Sequence, residues 1–277
     1  MGGTASDGNS RHAIVVLTVA GSDSGGGAGI EMDLKVFAAL GAFGACAITA
    51  LTAQNTQGVL GAWEAPSAFV KAQIEAVLDD LPVAAAKTGM LSSAEVVRAV
   101  ADTLRQRFTG PLVVDPVVVA KDGTHLLSDE GIAAVREQLL PLATVITPNL
   151  PEAEALSEKK ITSEKEVREA AQKLRSEGAT WVLVKGGHQC GEVVTDLLVG
   201  PDDEQAISSP RLPGGPFHGT GCALSAAIAV YLARGLPVPE AVGEAHHFLQ
   251  DLLQRALALG RGALVLHPHI IDQGQQS

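Results

Sequence analysis

"AIVVLTVAGSDSGGGAGIEMDLK", from Ala13 to Lys35, decides the fold. A short β-branched run, Ile14–Val19, enters a loop with four glycines between Gly25 and Gly29. A helical pattern follows, with Ile30, Leu34, Phe37 and Ala38 on one side. Strand, glycine loop and helix in that order mark a place where a ligand approaches the backbone closely. Two common ligands are excluded. No Gly-Lys-Ser/Thr closes the loop, so it is not a P-loop. G-x-G-x-x-G fits Gly25 to Met32 in no register, which argues against a dinucleotide site and an NAD-dependent oxidoreductase.

The same alternation continues outward. "CAITAL" (46–51), "VAAAKTG" (83–89), "PLVVD" (111–115), "TVITPN" (144–149) and "WVLVKGG" (181–187) read as strands. Helices are expected over 67–80, 94–107, 129–140, 221–234 and 239–259, with weaker strands near 193–199 and 205–208. Ser163 and Glu166 read as a capping box. Continuous apolar strands between helices of this length predict an α/β fold, a mostly parallel sheet covered on both faces. Ligands in such folds bind beyond the C-terminal strand ends. One domain over 13–270 is expected, between a disordered tail at 1–12 and a flexible one at 271–277.

Composition agrees. The chain has 277 residues, 46% of them apolar, with a mean hydropathy of +0.22, enough for a substantial core. The net charge of −11 makes nucleic acid and anionic membrane surfaces poor partners. Three cysteines, Cys46, Cys190 and Cys222, form no disulfide framework and no zinc pattern, which suits the cytoplasm. No apolar stretch is long enough to span a membrane.

Several strand ends carry chemistry. "HGTGCALSAAIA" leads through Gly219, Thr220 and Gly221 into a small-residue helix, whose free N–H groups make an anion site. Cys222 falls in the first turn, where a thiol's pKa is ordinarily lowered; the alternative is a small buried thiol. His218, in a Gly/Pro loop, reads as merely solvated. Asn149 and Glu152 read either as a capping box or as a polar pair for hydrated Mg²⁺. Asp115 closes a strand within reach of the same ion, and Lys185 can neutralise phosphates. Asp33 is either a carboxylate at a helix's positive end or a ligand contact. Together these suggest phosphoryl transfer without a P-loop.

Seven ordered blocks, "AGSDSGGGAGIEMDLK", "ITALTAQNTQGV", "AKTGML", "VVDPVVVAKDG", "TPNLPEA", "VLVKGGH" and "HGTGCALSAAIA", closely resemble the hydroxymethylpyrimidine/phosphomethylpyrimidine kinases of thiamine biosynthesis, in the ribokinase-like superfamily. The resemblance covers about Ile14 to Leu259. It implies a three-layer α/β/α fold and small-molecule substrates: ATP, and an aminopyrimidine alcohol and then its monophosphate. It implies that Gln54 bonds the aminopyrimidine in a pocket with Gly21, Asp33 and Met90. Gly219, Thr220, Gly221 and Cys222 would form the catalytic anion hole. Lys185 and Asp115 would face ATP, and Asn149 and Glu152 would organise Mg²⁺ through water. A homodimer is expected. Related sugar kinases carry an aspartate base where Cys222 stands; a thiol can remain neutral beside a phosphate acceptor, or act as thiolate base for the alcohol. Departures are Glu31–Met32 for the usual Gln-Ala, Val118 for Met, and Phe217 and Ala223 for Thr. The rival readings are a vitamin B6 kinase of the same fold and a non-catalytic pyrimidine-binding regulator. Val119–Glu130 is the lid candidate.

Overall fold

A computed structural model describes residues 13–118, 126–187 and 191–268. The expected tails at 1–12 and 271–277, residues 119–125 of the lid candidate, and Cys190 lie outside the described residues.

The opening stretch forms β1 (Val15–Asp23) and α1 (Gly29–Ala39). β2 (Phe43–Asn55), β3 (Gly58–Glu64), α2 (Ser67–Asp80), β4 (Val83–Thr88), α3 (Ala94–Arg107) and β5 (Leu112–Val114) follow. After α4 (Asp129–Ala134) come β6 (Val145–Ile146), α5 (Leu150–Ser157), α6 (Glu164–Ser176) and β7 (Trp181–Val184). The chain then forms β8 (Val193–Val199), β9 (Glu204–Pro210), β10 (Phe217–His218), α7 (Thr220–Ala233), α8 (Val238–Gln254) and β11 (Leu264–Val265).

Nine strands make one sheet in the order β3-β2-β1-β4-β5-β6-β7-β8-β9. β2 through β7 pair in parallel, while β3, β8 and β9 join antiparallel at the edges. Strand alternation sends Leu17, Ala86, Val114, Ile146 and Val182 to one face, under α2, α3, α5 and α6. Val16, Ala85, Val113, Val145 and Leu183 face α1, α7 and α8. The result is the expected α/β/α layering. Strand order reverses between β1 and β4, the point at which such sheets form their ligand crevice beyond the strand ends.

Four expectations change. Gln54 lies inside β2, which runs past the predicted strand end at Leu51 because β3 folds back on it as an antiparallel partner. The predicted helix over 129–140 is α4 followed by a π turn, Val135–Leu139, and a 3₁₀ turn, Leu140–Leu142, since Pro141 cannot continue an α-helix. The last helix ends at Gln254, five residues before the expected Leu259. At α6, Glu166 bonds the Thr162 N–H while Ser163 accepts from Glu166 N–H, so the predicted box closes one residue early.

Candidate active site

The glycine loop is organised around its own anion. Asp23 Oδ1 accepts from Gly25 N–H at 2.8 Å, and Oδ2 from Gly27 and Ala28 N–H at 3.0 and 2.8 Å. Burial pushes the Asp23 carboxyl up, but the bonds from His218 and these N–H groups outweigh it and hold the pKa below its ordinary value. The donors that a phosphate would use are therefore taken. Glu31 ties down the loop's entry, accepting from Ser22 Oγ and Asp23 N–H, both at 2.7 Å. At Gly21 a Cβ would overlap the Met90 methyl, and Gly21 N–H donates to the Met90 carbonyl at 3.1 Å. Those two residues therefore touch at the ends of their strands.

Asp33 is a correction. It is fully buried, with Lys87 Nζ at 2.9 and 2.8 Å from its two oxygens and Thr18 Oγ1 donating at 2.6 Å. Its carboxylate serves Lys87, itself fully buried, rather than a free face of the pocket. Burial works against the Lys87 charge, but Asp33, Cys222 and Asp115 outweigh it, so its pKa stands above the ordinary value.

Across the crevice, α7 begins with Gly219 at φ +82°, and no side chain caps it. A Cβ at Gly219 would overlap the Gly27 carbonyl oxygen, so only glycine lets the two loops touch. The small side chains along α7 let it lie close against β4 and β5, which brings its first turn to the strand ends. Lys185 Nζ bonds Asp115 Oδ1 at 2.9 Å; a Cβ on Gly221 would stand 3.2 Å from that Nζ. The Thr147 hydroxyl also donates to Asp115 at 3.1 Å, and the Ser225 hydroxyl lies 3.3 Å from it with its shortest bond, 2.9 Å, to the Gly221 carbonyl. Burial raises Asp115, but Lys185 and Lys87 outweigh it and keep its pKa low.

For Cys222, open above between a thiol of lowered pKa and a neutral one, the surroundings favour the neutral form. Burial pushes its thiol up to about 11, in spite of Lys87, with Asp33 and Asp115 adding to the rise. The helix terminus does not make it a thiolate; it is a neutral thiol near pH 7.

Asn149 and Glu152 form the capping box: Asn149 Oδ1 accepts from Glu152 N–H at 2.9 Å, and Glu152 Oε2 from Asn149 N–H at 2.8 Å. Burial pushes Glu152 up to about 7, against the pull of Lys185. No three His, Cys, Asp or Glu side chains cluster as a metal cage among the described residues. With oxygens of both side chains on backbone N–H groups, this pair would meet a hydrated Mg²⁺ carried by phosphates only through water.

Gln54 reaches the crevice from β2. Its amide stands 3.3 Å from His218 Nε2, which lies 2.8 Å from Asp23 Oδ2. The sequence reading missed His218, Asp23 and Lys87 as site groups. Only their position at strand and loop ends marked them.

The sequence model described as phosphomethylpyrimidine kinase matches residues 23–267. A hydroxymethylpyrimidine/phosphomethylpyrimidine kinase of Streptomyces coelicolor is 48% identical over 90% of this chain and 91% of its own. The crystal structure of phosphomethylpyrimidine kinase from Clostridium difficile superposes with a TM-score of 0.78 at 40% identity, covering 87% of this chain and 99% of that one. An ADP complex of Bacillus subtilis pyridoxal kinase superposes at 0.86 with 34% identity, covering 92% and 97%.

Proposed function

The chain belongs to the phosphomethylpyrimidine kinase family, and from that premise we infer that it is an ATP-dependent kinase of thiamine biosynthesis. It phosphorylates 4-amino-5-hydroxymethyl-2-methylpyrimidine and then the resulting monophosphate. The observation that carries this reading is a helix N-terminus that no side chain caps, with a thiol and no carboxylate in its first turn and Lys185 close by. A free alcohol and an anionic phosphate can both sit there, because no fixed carboxylate repels the second acceptor.

In this reading Gly21 and Met90 wall the ring's pocket, and Gln54 bonds its edge. Asp33 acts one layer below, by holding Lys87. The N–H groups of Thr220, Gly221 and Cys222 receive the transferred phosphoryl group, where charge develops. Lys185, steadied by Asp115, faces the ATP phosphates. Asn149 and Glu152 hold hydrated Mg²⁺, which when bound offsets phosphate charge. A homodimer is our further reading: Leu51 and Trp63, directly opposite on β2 and β3, expose an apolar face that a second copy would cover. A cytoplasmic setting fits, and no described helix is long and apolar enough to cross a membrane. One kinase domain over 13–270 is likewise our reading.

The vitamin B6 kinase reading is supported by the pyridoxal kinase superposition, and the higher identity to pyrimidine kinases weighs against it. The test supplies ATP with the aminopyrimidine alcohol, its monophosphate, or pyridoxal, separately. ADP release with both pyrimidines, well above that with pyridoxal, is expected. Turnover of pyridoxal alone, or of none, overturns the reading.

A further inference from the structure

We propose that His218 is a positioning residue: held by Asp23, its Nε2–H fixes which way the Gln54 amide faces, and so sets the donor–acceptor pattern offered to the acceptor ring. The inference rests on the pyrimidine kinase reading above. Asp23 Oδ2, 2.8 Å from His218 Nε2, is an acceptor already collecting the Gly27 and Ala28 N–H groups, so Nε2 carries a proton toward it. Thr52 sets the other boundary. Its hydroxyl lies 2.8 Å from the Ser22 carbonyl oxygen, which can only accept, and 3.1 Å from the Gln54 amide. The single hydroxyl proton goes to Ser22, and Thr52 Oγ1 meets Gln54 as an acceptor.

The amide therefore stands between a donor at His218 and an acceptor at Thr52. With Nε2 toward His218 and Oε1 toward Thr52, as the side chain stands, donor would face donor and acceptor would face acceptor. A half-turn of the amide resolves both at once. Oε1 then faces the Nε2–H that Asp23 holds, as the longer arm of one shared proton at 3.3 Å, and the amide N–H goes to Thr52. One N–H and one lone pair remain, side by side, for the ligand. That pair complements an aminopyrimidine edge, where a ring nitrogen accepts beside an exocyclic N–H. The Gln54 backbone is pinned too: Ser24 Oγ bonds both its N–H and its carbonyl oxygen at 2.9 Å, so only the amide is free to turn.

The experiment compares His218→Leu, which removes the donor, with His218→Gln, whose amide N–H replaces it, in wild-type and Gln54→Ala backgrounds. His218→Leu should raise KM for the aminopyrimidine alcohol about tenfold, one hydrogen bond's worth, with kcat and the KM for ATP changed far less. His218→Gln should restore most of that loss. On the Gln54→Ala background His218→Leu should add nothing, because its target is gone. Full additivity on that background, or no rescue by His218→Gln, overturns the proposal. Should the leucine variant fail to fold, ¹⁵N imidazole spectra of the wild-type protein decide, with His218 assigned by its absence in His218→Gln. A proton on Nε2 is expected, and a bare Nε2 overturns the proposal. If the wild-type protein turns over no pyrimidine, the kinase reading fails, and the Nε2 proton still decides the positioning claim.

Discussion

Replacing Lys87 with methionine tests whether the floor of the site is a working ion pair. Lys87 and Asp33 have no solvent-exposed side-chain surface, and they face each other at 2.8 Å. Methionine keeps much of the volume but leaves the Asp33 carboxyl buried with only Thr18 as donor. Breaking one half of a buried pair costs about 3–5 kcal/mol, a large share of the ~5–15 kcal/mol that holds a domain folded. The loss should depend on pH, and its sign follows from what remains. Burial pushes Asp33 up, and Lys87 is the main group pulling it down. Without Lys87 the folded-state pKa rises well above the unfolded value of about 3.9. Between those two values the folded protein binds more protons than the unfolded one. Stability is then fully retained below about pH 4 and falls as pH rises, by up to about 1.4 kcal/mol per unit.

Urea unfolding from pH 5 to pH 8 reads this directly. The gap between wild type and Lys87→Met should widen with pH. Lys87→Met/Asp33→Asn should close most of it and remove the added slope, since asparagine still accepts from Thr18 and carries no charge. Parallel wild-type and Lys87→Met curves, or a double variant as unstable as the single, would refute the argument.

Three other outcomes are expected. Gly221→Ala should keep or raise the melting temperature, since alanine favours a helix by up to about 1 kcal/mol, yet lower kcat by about 10²-fold by crowding the anion hole; unchanged turnover would remove that helix start from the reaction. Gly219→Ala should lose both stability and activity, because of φ +82° and the Gly27 carbonyl; a fully stable variant contradicts the close approach. Cys222→Ala should slow the alcohol and phosphate steps to a similar extent, since at a pKa of about 11 only about 10⁻⁴ of the thiol is ionised at pH 7, while Cys222→Asp should impair the phosphate step far more; a loss confined to the alcohol step on Cys222→Ala would restore the thiolate-base reading.

The layered fold was legible because buried parallel strands are apolar throughout and end in Gly, Asp, Asn or Lys. β3 was not legible. Its residues, "GVLGAWE", are mostly exposed, and they form a strand only because β2 offers a free edge. The pairing of Lys87 with Asp33 spans 54 residues of sequence, and no spacing rule connects a strand-end lysine to a helix-start aspartate. At the glycine loop the sequence displayed the open backbone but not its organiser, the Asp23 carboxylate, which is the loop's internal ligand. His218 looked solvated because its partners, Asp23 and Gln54, come from β1 and β2.

The same charges bear on how a chain of net charge −11 would host phosphates at the proposed site, and on the thiol that stands where related sugar kinases carry an aspartate. Lys185 is balanced by Asp115 and Lys87 by Asp33, so the lysines closest to the helix start bring almost no net positive charge. In the proposed site, attraction for phosphate would come instead from the α7 N–H groups and from what ATP carries with it. A carboxylate at position 222 would leave this balanced set one charge negative. At about 4 Å and an effective dielectric near 20 it would cost on the order of 4 kcal/mol for each negative charge on the acceptor. An alcohol acceptor brings no charge and would not register that penalty, whereas a phosphate acceptor would meet it in full. A neutral group at position 222 is thus the condition under which the proposed anion hole would serve both acceptors.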